Sequence, residues 1–229
     1  MTKLLYLDDT YLKSCQAEIL EIVKNEEIIA IVLDRTCFYP QGGGQKSDTG
    51  YINNQYVHDV RLQADGKVYH YVLKSENLSV GDTVNLEINL DQRIKNSRLH
   101  SAGHLIAQTV EKLYPELIGS KGHHYEGEAY VGINGQITEP DKALVEIEAA
   151  VNNLVLTDAK IKSYMASKDQ IQTLNLYAPE GKDVRLVEIE GFAPIGCGGT
   201  HVNSLNEIGE IKIKKIKHKK GLTKISYTL

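Results

Sequence analysis

The chain has 229 residues, a formal net charge of −4, 41% hydrophobic and 24% charged residues, the composition of an ordinary globular protein long enough for one large domain or two small ones. The acidic balance argues against indiscriminate nucleic-acid binding, and no apolar run approaches the ~18 residues of a membrane-spanning helix. Cys15, Cys37 and Cys197 are an odd set without framework spacing, and MTKLLYLDDTYLKS is too acidic for a secretory signal, so the expected compartment is reducing and cytoplasmic.

Residues 1–90 carry the marks of short strands. The runs 17–23 and 27–33 are rich in Ile, Val and Leu and flank Lys24-Asn25-Glu26, which reads as a hairpin turn. The stretch 36–50, TCFYPQGGGQKSDTG, breaks the pattern. Its three consecutive glycines cost conformational entropy and suit a place where side chains cannot fit or φ must be positive. Further strand-like runs at 51–57, 57–62, 67–73 and 83–90, with turns at Asn53-Asn54, Asp65-Gly66 and Gly81-Asp82, predict a small barrel or sandwich. Cys15 and Cys37 read as buried thiols.

Past residue 90 the pattern changes. The segment 91–113 reads as a helix, with Asp91 as N-cap, an apolar stripe of Leu99, Ala102, Ile106, Val110 and Leu113, and Pro115 beyond its end. His100 and His104 then lie one turn apart on one helix face. Residues 125–133 resemble a hairpin before Asn134-Gly135. Thr138 and Asp141 have capping-box spacing ahead of an amphipathic helix over 142–156, with Leu144, Ile147, Val151 and Leu154 or Val155 as its apolar repeat and Pro140 in its first turn. A strand at 160–165, a short helix at 168–176, a strand at 183–189 and a hairpin of 208–216 with 222–229 complete the chain. The expected boundary lies near Leu90, dividing a domain 1–90 from a domain 91–229.

Charge is unevenly spread. Residues 211–229 hold seven lysines and no acid, leaving 19 basic against 30 acidic side chains elsewhere, or −11. This stripe reads either as a solvated strand face or as a phosphate-backbone contact.

Cys197 and His201, in Cys-Gly-Gly-Thr-His, form a second pair of metal-type ligands. With His100 and His104 they make a three-nitrogen, one-sulfur set, which suits zinc better than the oxygen-seeking magnesium or calcium. More than ninety residues separate the pairs, so such a site needs a folded domain rather than a zinc finger. Four protein ligands could close a structural shell, or one could leave a position open for water or substrate. His-Ser-Ala-Gly-His lacks the glutamate of the HExxH metalloproteases.

Taken together these residues resemble the AlaX family, relatives of the editing domain of alanyl-tRNA synthetase. The matching stretches are FYPQGGGQ (38–45) with Ser47, Asp48 and Gly50, RLHSAGH (98–104), SKG (120–122), VRLVEI (184–189) and CGGTHV (197–202). The GGGQ-bearing first half makes the chain similar to the medium-length type. The resemblance implies an α+β fold: an N-terminal β-barrel-like domain followed by an α/β two-layer editing core. It implies a hydrolase that deacylates mischarged alanine tRNA, Ser-tRNA(Ala) and possibly Gly-tRNA(Ala), with one zinc per chain on His100, His104, Cys197 and His201. A zinc-held water would then attack, with no side-chain base assigned. Substrate selection is expected from Gly42, Gly43, Gly44, Gln45, Gly103 and Thr200, and tRNA contact from Lys121, Lys214, Lys215 and Lys217. Gly103 stands where many synthetase editing domains have threonine, and 118–124 lacks a glutamine often found there. No membrane partner is expected, and a monomer is favoured. Arg185 reads as the partner of an acid, and His123 and His124 as surface residues. The alternatives are a non-catalytic tRNA-binding module with structural zinc and a threonyl-type editing domain, against which GGGQ speaks.

Overall fold

The computed structural model describes residues 1–26, 28–174 and 184–229. The start of the strand expected at 27–33, the end of the helix expected at 168–176 and the first residue of the strand expected at 183–189 lie outside the described residues. The chain forms two compact units, Met1–Ser97 and Arg98–Leu229, and its fold is α+β.

In the first unit β1 (Lys3–Leu4) pairs in parallel with β4 (Arg35–Thr36). A closed antiparallel barrel runs β2 (Ser14–Lys24), β3 (Ile29–Leu33), β7 (Val68–Val72), β6 (Gln55–Leu62), β5 (Gly50–Ile52), β8 (Thr83–Ile88) and back to β2. Alternation selects the inward face: in TVNLEI, Val84, Leu86 and Ile88 are buried and the residues between them exposed. Closure leaves no unpaired barrel edge. The run 51–57 is two strands rather than one, because Asn53 adopts φ 50° and turns the chain between β5 and β6.

The glycine stretch forms a tight turn. Gly43 and Gly44 have φ of 52° and 76°, a pair of left-handed residues that side chains resist. Gly42 N–H donates to Gln45 O at 3.2 Å and Gln45 N–H returns to Gly42 O at 2.8 Å. Tyr39 Oη also donates to Gly42 O, at 2.9 Å. Asp48 ties the loop's ends, its N–H donating to Tyr39 O at 3.0 Å and its Oδ2 accepting from Tyr39 N–H at 2.6 Å. Arg93 is fully buried and pairs with Asp48, while donating to Cys37 O and Thr10 O.

The helix α1 (Leu90–Leu113) begins one residue before the expected start. Its cap is Asn89 rather than Asp91: Asn89 Oδ1 accepts from Gln92 N–H at 3.1 Å. Asp91 instead sits in the first turn, where a negative charge favours the helix dipole. In the second unit Leu99, Ala102, Leu105, Ile106 and Val110 of α1 are buried, whereas Leu113 is half-exposed.

The second unit carries a four-stranded antiparallel sheet in the order β14 (Lys212–Lys219), β15 (Leu222–Thr228), β10 (Tyr130–Asn134), β9 (Ile118–His123). The hairpin expected at 125–133 is instead β9 with β10, because the glycine-bearing IGSKGH pairs as a strand despite its weak propensity. A three-stranded sheet joins β11 (Ile161–Met165), β12 (Arg185–Ile189) and β13 (Ile195–Gly196). Helix α2 (Pro140–Val155) starts with Pro140 after Glu139, which makes no side-chain cap bond, so the expected Thr138–Asp141 capping box does not form. Capping boxes form elsewhere, at Ser167 with Gln170 ahead of α3 (Lys168–Thr173), and at Ser204 with Glu207. Ala143, Ile147, Val151 and Val155 supply the buried stripe of α2, with Leu144 and Leu154 partly buried beside it. Among the described residues, no helix is long and apolar enough to cross a membrane.

Candidate metal centre

Helix α1 presents His100 and His104 on one face, and the loop after β13 brings Cys197 and His201 to them. All four ligand atoms lie within 4.8 Å of one another. Cys197 Sγ is 3.6 Å from His100 Nε2 and 3.4 Å from His201 Nε2. The Nδ1 of His104 is buried without a hydrogen-bond partner, a costly condition for an imidazole nitrogen unless an ion occupies it. These residues could hold a metal ion.

The loop is held from behind. Arg185, on β12, donates through Nη1 to Cys197 O and Gly199 O, both at 2.9 Å. These carbonyls are what the buried loop turns toward β12. Cys197 N–H donates to Arg185 O, closing the same contact from the other side. Gly199 N–H points at Cys197 Sγ at 3.3 Å. A Cβ on Gly199 would overlap the His100 ring, so glycine here is a packing requirement. Thr200 is fully buried between Gly199 and His201.

The supporting shell orients the imidazoles. Ser101 Oγ lies 3.0 Å from His201 Nδ1 and accepts from Val202 N–H at 3.3 Å. With His201 Nε2 turned toward Cys197, a proton on Nδ1 donates to Ser101, the arrangement that fixes a ligating histidine's tautomer.

His124 is buried, not a surface residue. Its ring stacks on His100 at 4.6 Å and 20°. Tyr227 Oη donates to Leu99 O at 2.7 Å, so at its 2.7 Å contact with His124 it accepts from Nδ1–H. Space for this ring comes from two missing side chains. A Cβ on Gly103 or on Gly122 would overlap it. Sequence reading missed His124 because neither spacing nor periodicity signals it; the glycines on either side of the site were the only trace.

Burial sets the charge state. Burial holds His100 and His201 well below the ordinary imidazole range, with the neighbouring His201 adding to the shift at His100 and His104 to that at His201. Burial, with the Arg185 charge, brings His104 down to about 4, and burial with His104 brings His124 to about 3. All four are neutral at neutral pH, the protonation state that binds metal. Burial also raises the Cys197 thiol, opposed by Gly199 N–H and Arg185.

A folded-state pKa below the unfolded value means stability present at neutral pH and lost on acidification. Metal-free protein should therefore lose stability as pH falls from about 6.5 toward 4. Urea midpoints across that window will show the decline, and a flat profile would contradict the buried neutral cluster.

Of the residues expected to select substrate, Gly103 and Thr200 lie at this centre. Gly42, Gly43, Gly44 and Gln45 belong to the barrel unit, with Gln45 fully buried. Lys121 stands on β9 and Lys214, Lys215 and Lys217 on β14.

Comparison with known proteins accounts for both units. Residues 8–92 match the family model for class II (A) tRNA synthetases, and residues 184–226 match that for the threonyl and alanyl tRNA synthetase second additional domain. The alanyl-tRNA editing protein AlaX-M of Pyrococcus horikoshii is 36% identical over 93% of this chain and 90% of its own. AlaX-M of Saccharolobus solfataricus is 30% identical over 100% and 99%. An alanine–tRNA ligase of Methanococcus aeolicus is 32% identical over 99% of this chain, which spans only 25% of the ligase. With near-complete mutual coverage of the editing proteins, the chain belongs to the AlaX-M family of alanyl-tRNA editing proteins.

Proposed function

We propose that this chain hydrolyses the ester joining a wrongly attached serine or glycine to the terminal ribose of alanine tRNA, with one zinc ion held by His100, His104, Cys197 and His201. The observation that carries the reading is the buried, neutral three-nitrogen, one-sulfur cluster in a chain whose full-length relatives are named alanyl-tRNA editing proteins. Tetrahedral zinc with Zn–S and Zn–N bonds of ordinary length sets sulfur and nitrogen about 3.6 Å apart, which the 3.4 and 3.6 Å separations match. When bound, zinc supplies Lewis-acid polarisation of a water or of the ester.

The chain's own residues do the rest. Arg185 and Gly199 hold Cys197 in place, Ser101 fixes the tautomer of His201, and Tyr227 fixes that of His124. An aminoacyl ester is already reactive, so positioning suffices without a strong protein nucleophile. Cognate alanine differs from serine by lacking a hydroxyl and cannot be excluded by size. A site that hydrogen-bonds the hydroxyl can discriminate, because alanine leaves those polar groups unpaired. Thr200, buried at the metal centre, is the group proposed for that contact. Gly103 acts by omission, admitting His124 against His100.

The test is deacylation of Ser-, Gly- and Ala-charged alanine tRNA by zinc-loaded protein, with and without chelator. Chelator-sensitive hydrolysis of the Ser or Gly ester, with Ala spared, is expected. One zinc per chain with tRNA bound and no ester cleaved would turn the reading into a binding module.

A further inference from the structure

The outward face of the β14-β15-β10-β9 sheet is not used by the metal centre, and strand register gives it an order that the sequence hides. Directly paired residues share a face. Lys217 pairs with Lys224, Lys224 with Gly132, and Gly132 with Lys121. One row of lysines therefore crosses all four strands, spanning about 14 Å at the usual ~4.8 Å strand spacing. Gly132 keeps the row open: a Cβ there would come within 3.0 Å of Lys121 Cγ. The adjacent row is Lys215, Ser226, Tyr130 and His123. Lys214 is the extra residue in the bulge of β14 and stands outside both rows.

The second row is aromatic at its β9 end. Lys224 Nζ lies 3.6 Å from the centre of the Tyr130 ring. His123 stacks on Tyr130 at 5.4 Å and 27°, and on Tyr125 at 4.1 Å and 36°. Among the described residues no carboxylate pairs with Lys121, Lys215, Lys217 or Lys224, and Lys215 lies close enough to Lys217 for each charge to oppose the other. Glu128, 3.6 Å from His123 Nε2, is the acid at the rim. The face's unneutralised positive charge is complementary to a phosphate backbone. Its rings beside the lysines are what unpaired bases stack on.

We propose that this face binds a single-stranded RNA end, with Lys121, Lys215, Lys217 and Lys224 on successive phosphates and the Tyr130–His123–Tyr125 stack beside the bases. The proposal rests on the editing reading, in which the RNA is the 3′ end of alanine tRNA. The end of β9 links face and metal centre: His123 lies in the outward row, and the next residue, His124, is packed on His100.

The experiment measures binding of an uncharged acceptor-stem minihelix, with and without its single-stranded 3′ nucleotides, by fluorescence anisotropy over a salt series. The double variant Lys217→Ala, Lys224→Ala should flatten the log–log salt slope by about 1.4, at ~0.7 per lysine on single-stranded nucleic acid. The double variant Lys142→Ala, Lys160→Ala, which removes exposed lysines elsewhere in the unit, should keep the wild-type slope. Tyr130→Ala should weaken binding about tenfold for the full minihelix and little for the trimmed one. An unchanged slope in Lys217→Ala, Lys224→Ala overturns the proposal, and so does equal wild-type affinity for the trimmed and full minihelix. Either result alongside wild-type hydrolysis of mischarged tRNA removes this surface alone. Absence of that hydrolysis, read in its own assay, removes the editing reading.

Discussion

Replacing Cys197 by alanine is expected to lower deacylation of mischarged alanine tRNA by on the order of a thousandfold, equivalent to about 4 kcal/mol of transition-state stabilisation. The thiolate would be the only anionic ligand of the proposed centre, its three partners being neutral imidazoles. Without it the site has three neutral donors, and metal content measured on the purified variant should fall well below that of the wild type. Cys197 is only partly buried, at the edge of the core cluster, so its truncation removes little packing. Lost activity with lost metal and an unaltered melting profile of the metal-free protein would therefore place the effect at the centre. Full activity in a Cys197→Ala protein that has lost its metal would remove the metal from the reaction.

The second large effect concerns stability and lies in the barrel unit. Arg93→Leu should destabilise that unit by about 3–5 kcal/mol, the usual cost of breaking a buried ion pair by removing one partner. Arg93 and Asp48 are both fully buried in their side chains, and Arg93 also serves the carbonyls of Thr10 and Cys37. Burial pushes the Asp48 carboxyl up, and the Arg93 charge opposes that shift. In the variant the native carboxyl takes up a proton that the unfolded chain releases near pH 4. The folded state then binds more protons than the unfolded state, so stability falls as pH rises. The deficit relative to wild type should be smallest near pH 4 and grow toward neutrality, a dependence that denaturant titrations at several pH values will reveal. A deficit independent of pH would mean that Arg93 matters through packing and its carbonyl contacts alone.

The Arg93–Asp48 pair also gives the motif FYPQGGGQKSDTG a structural content. Asp48 closes the loop on Tyr39 and is held by Arg93, while Gly43 and Gly44 supply the two left-handed positions of the turn. The loop's shape is thus set jointly by Asp48, Tyr39 and Arg93 at its ends and by the two glycines of its turn.

Much of this was legible in the sequence. Periodicity alone distinguished strands from helices, because burial on one face writes a two-residue repeat in TVNLEI and a helical one in 99–110. The four ligand-type residues were legible because His-x-x-x-His and Cys-x-x-x-His place two donors each at short spacing, and few other uses of those residue types do so. What the sequence could not carry is any relation made by register or by absent atoms. Asn89 rather than Asp91 caps α1, since the choice depends on where the chain leaves β8. Lys224 joins Lys217 and Lys121 in one row only once strands are paired, and Lys214 leaves it through a bulge. His124 lies in the core because Gly103 and Gly122 make room for its ring from positions 21 and 2 residues before it. A side chain's chemistry is local and can be read one residue at a time. The space it occupies is set by neighbours brought from far along the chain, and only the folded structure decides that.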